Sequence, residues 1–589
     1  MMTPHPEAAG PAPARELAPL RTAVRVAALV GLVSLVIEFG WPLSEGTLTA
    51  LHVLDYAIAG TFLLDLAARF LLSADRVAFL RGHRLEAILA IALGVETVTL
   101  FALTGGTALL RLYLAGFQLY IVATLILAAS QAQNRVLSRI NPAVIPLGAF
   151  LLLILAGTAL LMTPMMRAPG AAPWSLLDAL FTSTSASCVT GLSVRDVGSE
   201  LSFRGQLTLL VLIQIGGLGP LLITLFLCML QSSRLHVRQL TLLRDLMGTP
   251  FLGNLGLFLK SVVALTLGLE LAGAAMLFLL RSDSSGGERA WWAVFHSISA
   301  FCNAGFAFQP DSLEGFAVAP GICLTVAALV IAGGLGFPVL LDLIRCGMPR
   351  RFQAGLPPAA SGTTARRLTL HSRIVLTGTG VLLFAGTALF WIAERNGALA
   401  ALSASDALTA SVFQSAMPRT AGFNSVPVAA LGPETLLLTM ALMVAGAGPA
   451  STGGGIKIAS VALLWLTAFS VLRNREAPEA FRRRISPAAV RTAVAIVSLY
   501  AISAFGISAA LATTQEGIPF QSLLFESISA LSTVGLSTGI TGRLDSTGRI
   551  ILCIAMLIGR LGPLALVGSL VFRPPPLRYQ YPEEPVTVS

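Results

Sequence analysis

Four short segments of this 589-residue chain repeat one another: FTSTSASCVTGL (181–192), FHSISAFCNAGF (295–306), FQSAMPRTAGF (413–423) and FESISALSTVGL (525–536). Their glycines, Gly191, Gly305, Gly422 and Gly535, are 114, 117 and 113 residues apart. A second motif shares the period, reading GGLGPL (216–221), GGLGFPVL (333–340), GAGPAS (446–451) and GRLGPL (559–564). Two motifs on one period mark a fourfold structural repeat. Each unit reads apolar run, short aromatic-led segment ending in Gly, polar loop, second apolar run.

The apolar runs, roughly 20 residues each, are long enough to cross a bilayer and recur from Val24 to Phe572. With 55% hydrophobic and 12% charged residues and a mean hydropathy of +0.81, no room remains for a soluble domain. Cys188, Cys228, Cys302, Cys323, Cys346 and Cys553 mostly lie within apolar runs at no paired spacing, so they read as free thiols. The net charge of +10 sits in connections. Arg234, Arg238 and Arg244 form one cluster, Arg345, Arg350, Arg351, Arg366 and Arg367 a second, and Arg473, Arg475, Arg482, Arg483 and Arg484 a third. All fall on one side, the positive-inside pattern that fixes orientation. A nucleic-acid footprint would be a basic face on a folded domain, and none is present. The Pro- and Ala-rich first twenty residues lack the features of a signal peptide, so the first apolar run reads as a retained anchor.

The expected architecture is an all-α polytopic membrane protein. A tail (1–20) leads to a four-helix N-terminal bundle (21–130). Four helix–pore-loop–helix repeats (141–235, 255–345, 370–475, 487–572) then surround a pseudo-fourfold pore, before a C-terminal tail (573–589). Each aromatic-led segment opens Phe-x-Ser or Phe-Thr-Ser and runs about two helical turns, too short to span. The physical solution is a re-entrant half-helix followed by an extended strand, because non-helical backbone at membrane depth must be buried in protein or line a water-filled cavity. Four such strands offer rings of carbonyls to a dehydrated cation. Gly suits the turn because it tolerates backbone angles that side chains forbid, and half-helix C-termini facing the axis add partial negative charge. The bland alternative, loop glycines beside small packing residues, does not explain four segments in register.

These segments, with STGGGIK (451–457) and IGRLGPL (558–564), resemble the filter repeats of the Trk/Ktr/HKT superfamily of potassium transporters over residues 141–572. The resemblance implies a potassium-conducting pore with potassium as the substrate and no cofactor held by this chain. It implies filter backbone at Cys188, Val189, Thr190 and Gly191; at Cys302, Asn303, Ala304 and Gly305; at Arg419, Thr420, Ala421 and Gly422; and at Ser532, Thr533, Val534 and Gly535. Sodium-preferring relatives often carry Ser at the first filter glycine, so Gly191 favours potassium. Cys188 and the Met417–Pro418 pair depart from the small hydroxyl residues more usual there. The resemblance also implies a homodimer in a bacterial inner membrane, and Arg15, Arg21 and Arg25 put the N-terminus on the cytosolic side. A cytosolic ring of nucleotide-binding regulatory subunits and membrane lipids are the implied partners. The basic connections at 345–373 and 473–491 read as docking faces for that ring or as lipid-headgroup contacts. The alternative function is a sodium-coupled or sodium-preferring secondary transporter, which would show inverted repeats.

Gly446 to Lys457 holds five glycines and Pro449 inside an apolar run. Continuous helix there would be poor, so two helical pieces joined by an intramembrane loop are expected. The loop resembles the family's gate, with Gly453, Gly454, Gly455 and Lys457 as gate residues; the bland alternative is a kink that eases packing. Ile456 separates Gly455 from Lys457, which excludes a phosphate-binding loop. Arg560 replaces the small residue of the other repeats (Gly217, Gly334, Gly446), and an Arg at membrane depth is by default functional. Arg419 and Glu526 are expected to pair behind the filter, and His296 reads as a structural helix histidine. Nothing forms an intramembrane nucleophile–base pair, so an enzyme is not expected. Residues 49–104 faintly resemble the second and third helices of a voltage sensor, with Asp55 and Asp65 as intramembrane acids. The fourth run (107–129) offers only Arg111, so the bundle reads as accessory.

Overall fold

In the computed structural model, the described residues are 18–73, 75–82, 144–219, 255–282, 285–347 and 368–563, with 87, 91, 566 and 567 as isolated positions. The 107–129 run, Cys228, the Arg234–Arg244 cluster, Arg350, Arg351, Arg366, Arg367 and the C-terminal tail lie outside them.

Among the described residues the protein is helical apart from one small hairpin. The N-terminal part contributes α1 (Ala18–Gly40), α2 (Glu45–Leu71) and α3 (Arg76–Gly82). The first repeat is α4 (Val144–Leu161), α5 (Leu176–Ser187) and α6 (Phe203–Leu218). The second is α7 (Leu255–Leu280), α8 (Gly286–Phe301) and α9 (Pro320–Leu335), continued by α10 (Phe337–Gly347) after a 103° bend at Gly336. The third is α11 (Leu370–Glu394), α12 (Ala404–Ala416) and α13 (Pro433–Val444), continued by α14 (Ile458–Leu472). The fourth is α15 (Pro487–Thr514), α16 (Phe520–Leu531) and α17 (Ser546–Leu561). Five described helices are long and apolar enough to cross a membrane: α2 and the first helix of every repeat.

The half-helices α5, α8, α12 and α16 run 12, 16, 13 and 12 residues, longer than two turns. All four start upstream of the phenylalanine, and in α5 and α12 a polar residue there caps the start. Ser175 and Asp178 close a capping box on α5, and Ser403 accepts from the Asp406 N–H on α12. The repeated Phe-x-Ser then has a structural meaning. Phe181, Phe295, Phe413 and Phe525 are all completely buried. The serine two residues on fastens each half-helix to the first helix of its own repeat. Ser183 donates to Ile154 O (2.7 Å), Ser297 to Glu270 O (2.6 Å) and Ser415 to Leu383 O (2.9 Å), while Ser527 bonds the Ser508 hydroxyl (2.6 Å).

The repeats close into a ring. The second helix of each packs on the half-helix of the next: α6 on α8, α9 on α12, α13 on α16, and α17 back on α5. The last junction carries an ion pair between Arg549 and Asp178 (2.8 Å). Within a repeat, close approach of the second helix to its own half-helix requires glycine. A Cβ on Gly216, Gly333 or Gly559 would lie 2.1, 1.9 or 2.1 Å from the backbone oxygen of Ser187, Phe301 or Leu531, at the half-helix C-termini.

The N-terminal helices lean on the first repeat. Arg204 donates to Phe39 O (3.2 Å) and covers the Phe39 ring, and Gly40 sits against Thr163. Asp55 accepts from Ser34 Oγ (2.8 Å), and Asp65 pairs with Arg69 one turn along α2 (2.8 Å). Each acid thus has one partner within the N-terminal helices.

The packing argument predicts opposite outcomes for two glycine substitutions. Gly333→Ala forces a methyl against backbone and should cost about 1–3 kcal/mol, as overpacking does. Gly268→Ala, in α7 with nothing within 4 Å of the new methyl, should be neutral or stabilising by about 0.4–1 kcal/mol. Thermal unfolding of both purified variants checks this; equal midpoints would contradict it.

Candidate functional site

The four Gly-ended segments meet at one place. Just beyond each half-helix, a non-glycine residue takes positive φ: Val189 (56°), Asn303 (59°), Thr420 (75°) and Thr533 (51°). Two residues later the glycine does so too: Gly191 (93°), Gly305 (70°), Gly422 (71°) and Gly535 (95°). Such conformations are costly for ordinary residues, and here they recur at four equivalent positions. The backbone turns away from the helix, its N–H groups still bonded back to it. Thr190, Ala304 and Val534 donate to Ser185 O (2.8 Å), Ser299 O (2.7 Å) and Ser529 O (2.8 Å). In the third segment three residues, Met417–Pro418–Arg419, stand between the helix and its turn where the others have one, and Ala421 donates to Met417 O (3.0 Å).

The strands touch in cyclic order. A Cβ on Gly191 would lie 2.5 Å from Ala304 O, one on Gly305 2.6 Å from Ala421 O, one on Gly422 2.2 Å from Val534 O, and one on Gly535 2.0 Å from Thr190 O. Each glycine thus faces the carbonyl preceding the glycine of the neighbouring repeat, all the way round. On one side the four glycines line a cavity of about 440 Å³, whose rim carries Asp196, Asp311 and Glu314. Burial pushes the Glu314 carboxyl above its usual range, nearby Asp311 adds to that, and the Asn424 hydrogen bond opposes it.

On the opposite side lies the segment from Ala445 to Lys457, between α13 and α14. It is laced to all four repeats. Thr452 Oγ1 donates to Phe301 O (3.0 Å) and lies 3.2 Å from the Asn303 side-chain amide, which also meets Thr420 Oγ1 (3.3 Å). With its nitrogen toward Thr452, that amide is fully satisfied. Gly448 donates to Gly334 O (2.7 Å), and Phe337 to Ala450 O (3.0 Å). Gly453 and Gly454 press on the hydroxyls of Thr420 and Thr533, and Gly455 (φ 64°) lies against Ser532. Lys457 folds back to Gly453 O (2.6 Å). Arg560 bridges Thr452 O to Gly216 O and to Gly217 O (2.9 Å), tying the segment to the first and fourth repeats.

Two outcomes differ from the sequence reading. Arg419 and Glu526 do not pair. Arg419 donates to Thr379 Oγ1 (3.1 Å), while Glu526 Oε1 accepts from Ser537 and from Thr541 (2.9 Å). Each finds hydroxyl partners within its own repeat, so neither crosses the ring. The second serine of the aromatic-led segments was also missed. Ser185 and Ser529 accept from the N–H of Gly191 (3.0 Å) and Gly535 (3.1 Å), and Ser299 donates to Phe306 O (2.8 Å). Its recurrence six residues before the glycine in three of the segments was the available signal. A buried cluster behind the second segment, Gln214, Glu270 and Cys302 (Gln214 Nε2 to Glu270, 3.3 Å), carried none, because its members lie in different repeats.

The family model described as TrkH, cation transport protein, matches residues 112–573. The chain belongs to the TrkH cation transport family. As a TrkH-family protein it is a multi-pass membrane transporter and not an enzyme. It is 37% identical over 448 residues to Ktr system potassium uptake protein B of Vibrio alginolyticus, covering 74% of this chain and 93% of the relative. The namesake of Bacillus subtilis is 36% identical, covering 73% and 92%. Potassium/sodium uptake protein NtpJ of Enterococcus hirae is 31% identical, covering 77% and 98%. The crystal structure of the potassium transporter TrkH from Vibrio parahaemolyticus shares the fold, with a TM-score of 0.57 at 18% identity, covering 94% of this chain and 98% of that one.

The serine contacts make a specific prediction for the TrkH-family ring. Ser185→Ala or Ser529→Ala removes the acceptor of a part-buried N–H, a loss of about 0.5–1.5 kcal/mol. It should lower the thermal midpoint and narrow the rubidium-to-sodium flux ratio in liposomes. Ser503→Ala, whose hydroxyl bonds only within α15, serves as the control. Equal ratios in all three would show that these serines have no part in ion preference.

Proposed function

We propose that this protein carries potassium into the cell through the axis of the four-strand ring, and that the Ala445–Lys457 segment is its gate. The observation that carries this reading is the closed cyclic contact of the four Gly-ended strands, with one carbonyl of each set against the next. Rings of backbone carbonyls replace the hydration shell of a cation without needing a charged side chain. Under this reading the filter is Cys188–Gly191, Cys302–Gly305, Arg419–Gly422 and Ser532–Gly535. The half-helix C-termini, ending at those residues, add partial negative charge to the same place. The acidic rim gathers cations at the outer mouth.

The names of the Vibrio and Bacillus relatives support potassium, and the presence of all four glycines agrees. The name of the Enterococcus relative, potassium/sodium uptake, favours a second reading in which sodium also passes. Gly191→Ser separates the two. The new side chain would press on Ala304 O and alter the carbonyl field, so relative sodium flux should rise at least several-fold if the ring selects potassium. An unchanged ratio would take the first segment out of the filter.

The gate follows from position and charge. The segment lies across the inner side of the ring, and Lys457 and Arg560 bring two positive groups to a low-dielectric region where unit charges interact far more strongly than in water. Arg560 also holds the segment down through Thr452 O. Deleting Gly453–Gly455, or replacing Lys457 or Arg560 by Ala, should raise rubidium flux without changing which ion passes. If deletion instead abolishes flux in folded protein, the segment supports the ring and does not gate it.

The orientation proposed is N-terminus inside, in a bacterial plasma membrane, with the Arg-rich connections facing the cytosol. The assembly proposed is a homodimer with a cytosolic ring of nucleotide-binding subunits that acts on the gate. Potassium-limited growth rescue, with and without such a ring, tests the partnership.

A further inference from the structure

The far end of α14 carries a feature that takes no part in the ring contacts. Its last two turns expose Trp465 (64%), Phe469 (51%), Val471 (70%) and Leu472 (80%), and the next residue is Arg473. Aromatic and aliphatic side chains followed at once by arginine mark the depth where hydrocarbon meets headgroups. The chain then forms the one hairpin among the described residues, Glu479–Ala480 paired with Arg483–Arg484. The hairpin is anchored. Ala477, Ala480 and Ile485 are buried, Ile485 donates to Pro478 O (3.0 Å), and Arg373 of α11 covers the Phe481 ring. Arg482, Arg483 and Arg484 remain exposed.

Between α14 and the hairpin is a cavity of about 190 Å³ lined by Leu466, Phe469, Ser470, Arg473, Arg475 and Glu479. Arg475 is shared with Glu479 (2.8 Å), both side chains being about half exposed, whereas Arg473 has no ion-pair partner among the described residues. One wall is therefore cationic and the other apolar, continuous with the exposed Trp465–Phe469 face of the helix.

We propose that this cavity binds the phosphate of an anionic glycerophospholipid, with an acyl chain lying along Trp465 and Phe469. Charge complementarity selects an anion, and the adjoining apolar face selects one that carries hydrocarbon. A free phosphate would leave that face uncovered. The lipid would also hold the end of the helix that begins at the gate residue Lys457, roughly 22 Å away at 1.5 Å per residue. Binding rests only on membrane insertion; its effect on flux rests on the gate reading given above.

The test uses the full-length purified protein, with lipid retention read by native mass spectrometry. Wild type should retain phosphatidylglycerol in preference to phosphatidylcholine. Arg473→Gln and Arg475→Gln should each reduce retention about fivefold, the factor that corresponds to one basic residue at a membrane surface. Glu479→Gln releases Arg475 and should increase retention, so a gain as well as a loss is demanded. Equal retention of both lipids, or unchanged retention in the double arginine variant, would overturn the site. So would thermal stabilisation by millimolar inorganic phosphate but not by phosphatidylglycerol, which would make it a soluble-anion site. In liposomes, phosphatidylglycerol should stimulate rubidium flux in wild type and not in the double variant, with equal flux in phosphatidylcholine alone. Retention without stimulation would overturn the link to the gate and leave the lipid site standing.

Discussion

A carbonyl oxygen set against the Cα of a glycine in the neighbouring strand occurs four times around the axis, and the rest of the four-repeat body depends on it. From Gly191 to Gly535 no side chain fits at that contact, since any Cβ would lie within 2.6 Å of backbone oxygen. The strands can hold this spacing only if the half-helices behind them are fixed. That is the work of the four buried phenylalanines, the serines that fasten each half-helix to its own first helix, and the glycines that let second helices approach the half-helix ends. The positive-φ residues Val189, Asn303, Thr420 and Thr533 store conformational strain that the same packing over-determines. Backbone strain held by a tight scaffold is how a protein presents carbonyls to an ion in place of water.

The Ala445–Lys457 segment depends on the same contact from below. Thr452, Gly453, Gly454 and Gly455 each rest on a residue of a Gly-ended strand or on the half-helix end before it. Arg560 makes the arrangement asymmetric. Only the fourth repeat carries an arginine at this position, and its guanidinium spans from Thr452 O to Gly216 O and Gly217 O. A symmetric ring thereby acquires one side from which the segment is held.

Much of this was legible in the sequence because the repeat is its own control: one Gly-ended segment means little, four in register mean a ring. The interruption at Gly446–Lys457 was legible for a similar reason, glycines and Pro449 being poor helix formers where helix was expected. What stayed hidden were contacts between residues far apart in the chain. Arg419 and Glu526 looked like partners because both are charged and lie in Gly-ended segments, yet each hydrogen-bonds hydroxyls of its own repeat instead, at Thr379 and at Ser537 and Thr541. The Thr452–Asn303 contact joins positions 149 residues apart, and neither residue type announces it. The length of the half-helices was misjudged because each begins before the aromatic residue that marks its segment, at a capping box of Ser175 and Asp178 in α5.

The central claim is that the four strands form one cation-binding axis, and locating the ion tests it most directly. A structure of the full-length protein in rubidium, with anomalous scattering recorded at the rubidium edge, should show a peak on the axis among Thr190, Ala304, Ala421 and Val534. That peak should fade when sodium replaces rubidium. Rubidium bound elsewhere with an empty axis, or equal occupancy by sodium, would contradict the account.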